Sequence, residues 1–171
     1  MSNYIPAAGQ VKGEGLDEQE NGVLLAGDQE QSIAYKLRLA QIMAYQSFEE
    51  RVTGFGAAPR YLGLLCVIAA NPGQPQTRLA RTIALQRSSL VTILDRLESE
   101  GLVERRNSET DRRAKSVWLT DKGRETVKAL SQDAARHEQM LTENLTENER
   151  LTVLGGLETI IATLRKGLLG P

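Results

Sequence analysis

The stretch DRLESEGLVERRNSETDRRAKSVWLTDKG, Asp95–Gly123, decides the fold. Its first residues close a helix at Gly101, a residue type suited to the left-handed position just past a helix end. LVERR then reads as a short apolar-basic strand and KSVWL as a second, with the polar turn NSETDRRA between them. Thr120 before Asp121 starts another helix, a hydroxyl cap followed by an acid in the first turn. Two short strands with a charged tip make a poor core element. Val103, Val117 and Leu119 can point inward, which leaves Arg105, Arg106 and Lys115 outside with the tip residues Asp111, Arg112 and Arg113. A tip carrying two arginines has the width and charge to enter a minor groove, where A·T-rich stretches concentrate negative potential. Asp111 is expected to hold a guanidinium in one orientation through a bidentate pair.

Upstream of the hairpin, two short helices are expected over about 75–84 and 87–100, joined tightly near Leu85. That is helix-turn-helix spacing. Pro75 suits the first position of the former. On the latter, Leu90, Ile93, Leu94 and Leu97 fall on one side at 100° per residue. Ser88, Thr92, Asp95 and Ser99 fall opposite, with Ser89 and Arg96 at the edges. Alone, this would be an ordinary solvated face. Beside a basic hairpin it points to DNA, because hydroxyls bond base edges and arginine reads guanine or holds phosphate. The first turns of such a helix meet bases, which selects Arg87, Ser88, Ser89 and Thr92, with Arg96 and Lys115 flanking.

Charge supports this reading. Residues 76–128 carry twelve Lys/Arg against eight Asp/Glu, a net +4, although the whole chain is −1. Residues 1–30 carry Lys12 against six acids, a net −5. A basic middle between acidic ends suits a localised polyanion contact.

Residues 1–27, rich in Gly, Glu and Gln without periodicity, read as a flexible extension. DQEQ at 28–31 resembles a capping box for a first helix running to about Val52, with Ile33, Leu37, Ala40 and Ala44 as its stripe. TGFGAAP breaks it, and a second helix follows over about 59–70. After the hairpin come a long helix from Asp121 to about Glu143 and a last one behind TENE, Thr146–Glu149, a capping box. Val127, Leu130, Ala134, His137 and Leu141 form a seam on the former. Leu154, Leu157, Ile161, Leu164 and Leu168 form one on the latter. Seams of this length are expected to be buried against a second copy of the chain, since nearer elements already complete the helix-turn-helix core.

Residues 76–123 closely resemble the DNA-binding half of the multiple-antibiotic-resistance regulator (MarR) family. That family's wing pattern, Asp-x-Arg followed six residues later by Leu-Thr-x-x-Gly, is met by Asp111, Arg113, Leu119, Thr120 and Gly123. The helical order extends the resemblance over about 28–168. It implies a mainly α fold, a winged helix-turn-helix with a small β-hairpin wing plus a helical dimerisation region. The DNA-binding lobe would span about 59–123 and the dimerisation helices about 28–52 and 121–168. The resemblance further implies a homodimeric repressor, occasionally an activator. It would bind a pseudo-palindromic operator and leave it when a small aromatic or phenolic molecule binds between its two parts. Arg113 corresponds to the family's minor-groove arginine.

Tyr35, Arg38, Tyr45, Arg60 and Tyr61 could supply aromatic walls and a carboxylate clamp for an aromatic carboxylate or its thioester, where the first, second and fifth helices meet. His137, the sole histidine, sits on an apolar seam and reads as a hydrogen-bonded core residue, with a ligand role as the lesser alternative. Cys66 lies in YLGLLCVIAA and reads as an inert buried thiol. Were it exposed, a cysteine-based redox regulator of the same fold would be the alternative. One cysteine excludes an internal disulfide framework and a multi-cysteine zinc site, and no other metal or cofactor site is expected. An enzyme is disfavoured: there is no phosphate-binding glycine loop, and HEQML lacks the second histidine of a zinc protease. A protein-docking module, marked by weak and salt-insensitive DNA binding, is the remaining alternative. No signal peptide or membrane span is evident, so a cytoplasmic location is expected.

Overall fold

The structure, a computed structural model, describes Leu24 and residues 26–107 and 115–169. The chain forms two compact units, Met1–Leu39 and Ala40–Pro171. A 3-10 turn over Gly27–Gln31 precedes helix α1, Ile33–Arg51, whose residues to Leu39 belong to the first unit and from Ala40 on to the second. The helix does not start at Asp28. Ser32 caps it instead, its hydroxyl accepting the Tyr35 N–H at 3.3 Å, while Glu30 turns back to accept the Ala26 N–H at 2.9 Å.

In the second unit, a 3-10 turn at Pro59–Tyr61 leads into α2, Leu62–Ala70. There follow β1 (Gln74–Pro75), α3 (Gln76–Thr82), α4 (Arg87–Ser99), β2 (Val103–Asn107), β3 (Lys115–Leu119), α5 (Asp121–Leu141) and α6 (Glu147–Leu169). The antiparallel sheet has the order β1-β3-β2. Register pairs Val103 with Leu119 and Arg105 with Val117. Pro75 therefore closes a two-residue strand and caps α3 from outside rather than opening it. Gly73 permits this approach: its φ is +77°, and a Cβ there would lie 2.6 Å from the Trp118 ring.

The core gathers one face of each element. Leu65 and Ile68 of α2, Leu79 of α3, Leu90, Leu94 and Leu97 of α4, Val103, Val117 and Leu130 of α5 are its fully buried side chains. Much of the α5 seam is thus taken up inside the chain, with Val127 and Ala134 packed against this cluster. The expectation that α5 keeps its seam for a partner is corrected to that extent: α2 packs on α5 and covers it. On α6 the seam stays open, with Leu154, Ile161 and Leu164 exposed, the last at 56%.

Chain-end chemistry sets the joints. Thr120 caps α5 by accepting the Gly123 N–H at 2.9 Å, and its own hydroxyl donates to the Gly101 carbonyl at 2.6 Å. A Cβ on Gly123 would overlap the Leu102 carbonyl oxygen, so glycine is the residue that lets α5 meet the end of α4. Thr146 and Glu149 form the expected capping box, with Thr146 N–H to Glu149 at 2.8 Å and the reciprocal bond at 3.3 Å.

Candidate DNA interface and effector pocket

Helix α4 ends in a Schellman closure: the Leu102 N–H donates to Leu97 and the Gly101 N–H to Glu98, both at 2.9 Å, with Gly101 at φ +71°. Helix α3 ends in the same way. Leu85 N–H reaches the Ala80 carbonyl at 2.9 Å and Ala84 N–H reaches Arg81 at 3.4 Å. The left-handed position is held here by Ala84, at φ +54°, not by glycine. These two closures set how α3 and α4 cross and aim the polar face of α4 outward.

On that face Arg87, Ser88, Ser89 and Thr92 are all exposed, as expected. The Thr92 hydroxyl donates to the Ser88 carbonyl at 3.3 Å, which leaves its oxygen free to accept. Arg96 is exposed but engaged: its Nε lies 2.5 Å from Glu100, whose other oxygen accepts the Ala57 N–H at 3.0 Å.

Arg105 departs from the outward position expected of it. Its side chain, 16% exposed, folds onto α4, with Nη2 at 2.6 Å from Asp95 and 2.5 Å from Glu98. Its backbone N–H donates to Glu98 at 3.0 Å. The Arg105 hydrogen bonds hold the Glu98 carboxyl below its ordinary value against the opposing effect of burial. Glu98 and Asp95 in turn raise the Arg105 guanidinium. Strand β2 is thereby clamped to the polar helix, and the carboxylate of Asp95 is neutralised beside the face that would meet DNA. Arg106 packs over Trp118 with its guanidinium carbon 4.9 Å from the ring centre, and pairs with Glu104. Lys115 is exposed at the start of β3. Asp111, Arg112 and Arg113 lie outside the described residues.

Of the effector candidates, Tyr45, Arg60 and Tyr61 come together around a cavity of about 380 Å³, lined also by Leu64, Ile83, Leu85 and Ile93. Among the described residues its third wall comes from the helix-turn-helix, through Ile83, Leu85 and Ile93, and no residue of α5 lines it. Arg60 stacks over the Tyr45 ring at 5.9 Å. Tyr45 donates to Glu49, and burial, reinforced by that bond, pushes its phenol up to about 12. It remains a neutral donor in the physiological range. Tyr35 and Arg38 belong to the first unit, where the Lys36 ammonium lies 5.8 Å from the Tyr35 ring centre.

His137 is no part of that cavity. It is buried against Phe48, ring centres 5.4 Å apart. Among the described residues its Nε2 has no hydrogen-bond partner, so at that nitrogen the expected core hydrogen bond is missing. Cys66 is exposed, contrary to expectation. Leu64, Leu65 and Ile68 turn inward on α2 and put Cys66 on the other side. Among the described residues no group of His, Cys, Asp and Glu could hold a metal ion, and no helix is long and apolar enough to cross a membrane.

A helix-turn-helix whose second helix carries an exposed Arg-Ser-Ser-x-x-Thr face, clamped to a basic two-strand wing, defines a winged-helix DNA-binding regulator. Residues 60–115 match the model of the MarR family. The chain is 34% identical over 138 residues to a putative transcriptional regulatory protein for the hcr operon of Thauera aromatica, covering 80% of this chain and 83% of that one. Among solved structures it resembles the transcriptional repressor CouR bound to a 23-mer DNA duplex, at 36% identity and a TM-score of 0.74, covering 81% of this chain and 99% of that one. It also resembles CouR bound to p-coumaroyl-CoA, at 35% identity and a TM-score of 0.73, covering 81% and 98%. The chain belongs to the MarR family of transcriptional regulators.

Proposed function

We propose that the chain is a homodimeric, sequence-specific repressor that leaves a pseudo-palindromic operator when an aromatic acyl compound, as acid or thioester, fills the Tyr45–Arg60–Tyr61 cavity. The carrying observation is the exposed face of Arg87, Ser88, Ser89 and Thr92 on α4, set at a fixed angle to the wing by the Arg105 clamp. Base edges would be read from that face. Arg113, oriented by Asp111, would enter the minor groove, with Arg112, Lys115 and Arg96 holding phosphates. On this reading the DNA-binding lobe spans about residues 59–123, and the dimerisation helices lie within about 28–52 and 121–168. Such a protein works where the DNA is, in the cytoplasm, and no catalytic role is assigned to it.

Two features support dimerisation through α6. Among the described residues Leu154, Ile161 and Leu164 of its apolar seam stay exposed. A Cβ at Gly155 or Gly156 would meet open space, so nothing among the described residues offsets the roughly 1 kcal/mol that each glycine costs a helix. Close approach of a second copy would.

Effector action follows from the cavity walls. Ile83, Leu85 and Ile93 belong to the joint and polar helix that aim the base-reading face, so a ligand there acts on that aim directly. An inducer must favour the DNA-incompetent arrangement. A coupling of about 1–3 kcal/mol is typical, and operator DNA must weaken effector binding by the same factor. The CouR complex with p-coumaroyl-CoA supports an aromatic acyl effector for this relative of it. Tyr35, Arg38 and His137 remain secondary candidates for contact with it.

Fluorescence anisotropy on a labelled operator duplex at physiological salt tests the reading. Wild type should bind tightly and release on adding p-coumaroyl-CoA or its free acid. Arg113→Ala should nearly abolish binding with fold and dimer intact, because a two-fold complex loses the contact twice. Equal binding by wild type and Arg113→Ala would remove the wing from the account.

The exposure of Cys66 favours a second reading, a thiol-based redox regulator. It predicts operator release by peroxide that disappears in Cys66→Ser. The aromatic-effector reading predicts that Cys66→Ser responds to ligand like wild type.

A further inference from the structure

A second cleft, of about 730 Å³, is lined by Thr77, Arg78, Arg81 and Thr82 along α3 and by Arg165 of α6. Three guanidiniums and two hydroxyls face it, and among the described residues no carboxylate lines it. Arg78 donates one N–H to the Gln74 side chain at 3.0 Å, and Arg165 one to the Thr82 carbonyl at 3.5 Å. Among the described residues none of the three arginines forms an ion pair, although eight other cation–carboxylate pairs do. Like charges gathered in a concavity without counter-ions repel one another, and a bound polyanion relieves that repulsion. Guanidinium forks match phosphate oxygens in particular.

We propose that this cleft binds the phosphates of a nucleotide-bearing effector, the coenzyme A end of an aromatic thioester. The inference rests on the effector reading above and extends it to a second subsite. Its volume falls within the range of small-molecule sites. Its position fits as well: Thr82 lines the cleft and the next residue, Ile83, lines the aromatic cavity, so both sites share the C-terminal end of α3. An acyl-coenzyme A is an acyl group joined by a long uncharged arm to a diphosphate and a 3′-phosphate. It needs one apolar-aromatic pocket and one cationic cleft with a path between them. Duplex phosphates are the weaker candidate, because Arg165 comes from the last helix and not from the helix-turn-helix or the wing.

Calorimetric titration of the full chain with coenzyme A, 3′-dephospho-coenzyme A and p-coumarate tests the assignment. Wild type should bind coenzyme A, and removal of the 3′-phosphate should weaken binding about tenfold, the scale of a lost charge-assisted contact. Arg81→Ala and Arg165→Ala should each weaken coenzyme A about tenfold or more and keep p-coumarate within about twofold, with Arg165→Lys recovering part of the loss. Equal coenzyme A affinity in wild type and both variants overturns the proposal. So does a parallel loss for p-coumarate. Operator affinity measured against salt is a further arm: a slope shallower by about 0.9 per lost contact in Arg165→Ala would assign the cleft to duplex phosphates and overturn the proposal too. Failure of the effector reading itself looks different. No aromatic acid or thioester would then release the operator, whatever Arg81 and Arg165 do to coenzyme A binding.

Discussion

Replacing Arg105 by methionine keeps an unbranched apolar stem against α4 and removes only the guanidinium. The wild-type group makes charge-assisted contacts to Asp95 at 2.6 Å and Glu98 at 2.5 Å. A fully buried contact of this kind contributes about 1.5–3 kcal/mol. The partner side chains are 57% and 38% exposed, so water re-solvates both once the cation is gone, and screening discounts the sum. A net loss of about 1–2 kcal/mol is expected at neutral pH, or about 3–6 °C in Tm for a chain of this size. Glu98's folded carboxyl titrates below its ordinary value because Arg105 donates to it. Its contribution is therefore complete above the unfolded value near 4.5 and disappears as pH falls through the folded one. Urea denaturation of wild type and Arg105→Met at one fixed protein concentration, repeated from pH 7 to pH 3, measures this. The difference should be largest at pH 7 and shrink below pH 4.5. Operator affinity should fall as well, because the wing loses its fixed angle to α4 and Asp95 regains an unpaired charge. A stability difference that is absent at pH 7, or the same at both ends, refutes the clamp.

Gly123→Ala should destabilise by about 3 kcal/mol, the upper end of overpacking costs, because the new Cβ meets the Leu102 backbone and no rotamer relieves it; thermal denaturation checks this. Ala84→Gly should raise Tm by about 2–4 °C, since relief of a left-handed alanine exceeds the added chain entropy by about 1 kcal/mol. Ile161→Glu should give a monomer by light scattering at micromolar concentrations, where wild type gives a dimer; a monomeric wild type would contradict the α6 interface.

Where one face of an element is apolar and the other polar, the sequence was a sufficient guide. Leu90, Leu94 and Leu97 repeat at helical spacing among hydroxyls and charges, and all three are fully buried. Thr120, Thr146 with Glu149, and Gly101 announce helix ends because each chemistry has a single local use. Other features lacked such contrast. YLGLLCVIAA is apolar all round, so nothing in it told which side of α2 Cys66 would take. The α5 seam has the spacing of a dimer seam, yet the same spacing serves a helix packed on α2. Strand β1 is two residues long, too short for alternation to show. Asp28 and Ser32 both offer a cap, and the local backbone chose between them. Asp95 and Glu98 sit on the exposed side of their helix, and only the hairpin register at Arg105 reveals what neutralises them. The cavity against Ile83 and Leu85 is a tertiary feature that no spacing in the sequence announces.

On the proposed function, two copies of the α4 face read one operator together. The most direct measurement is selection of bound duplexes from a random pool at physiological salt, followed by footprinting of the winner. The expected winner is an inverted repeat whose half-site centres lie about 10–10.5 base pairs, roughly 34–36 Å, apart. Its footprint should disappear on adding p-coumaroyl-CoA. Recovery of no preferred sequence, or of a single half-site bound by one copy, would contradict it.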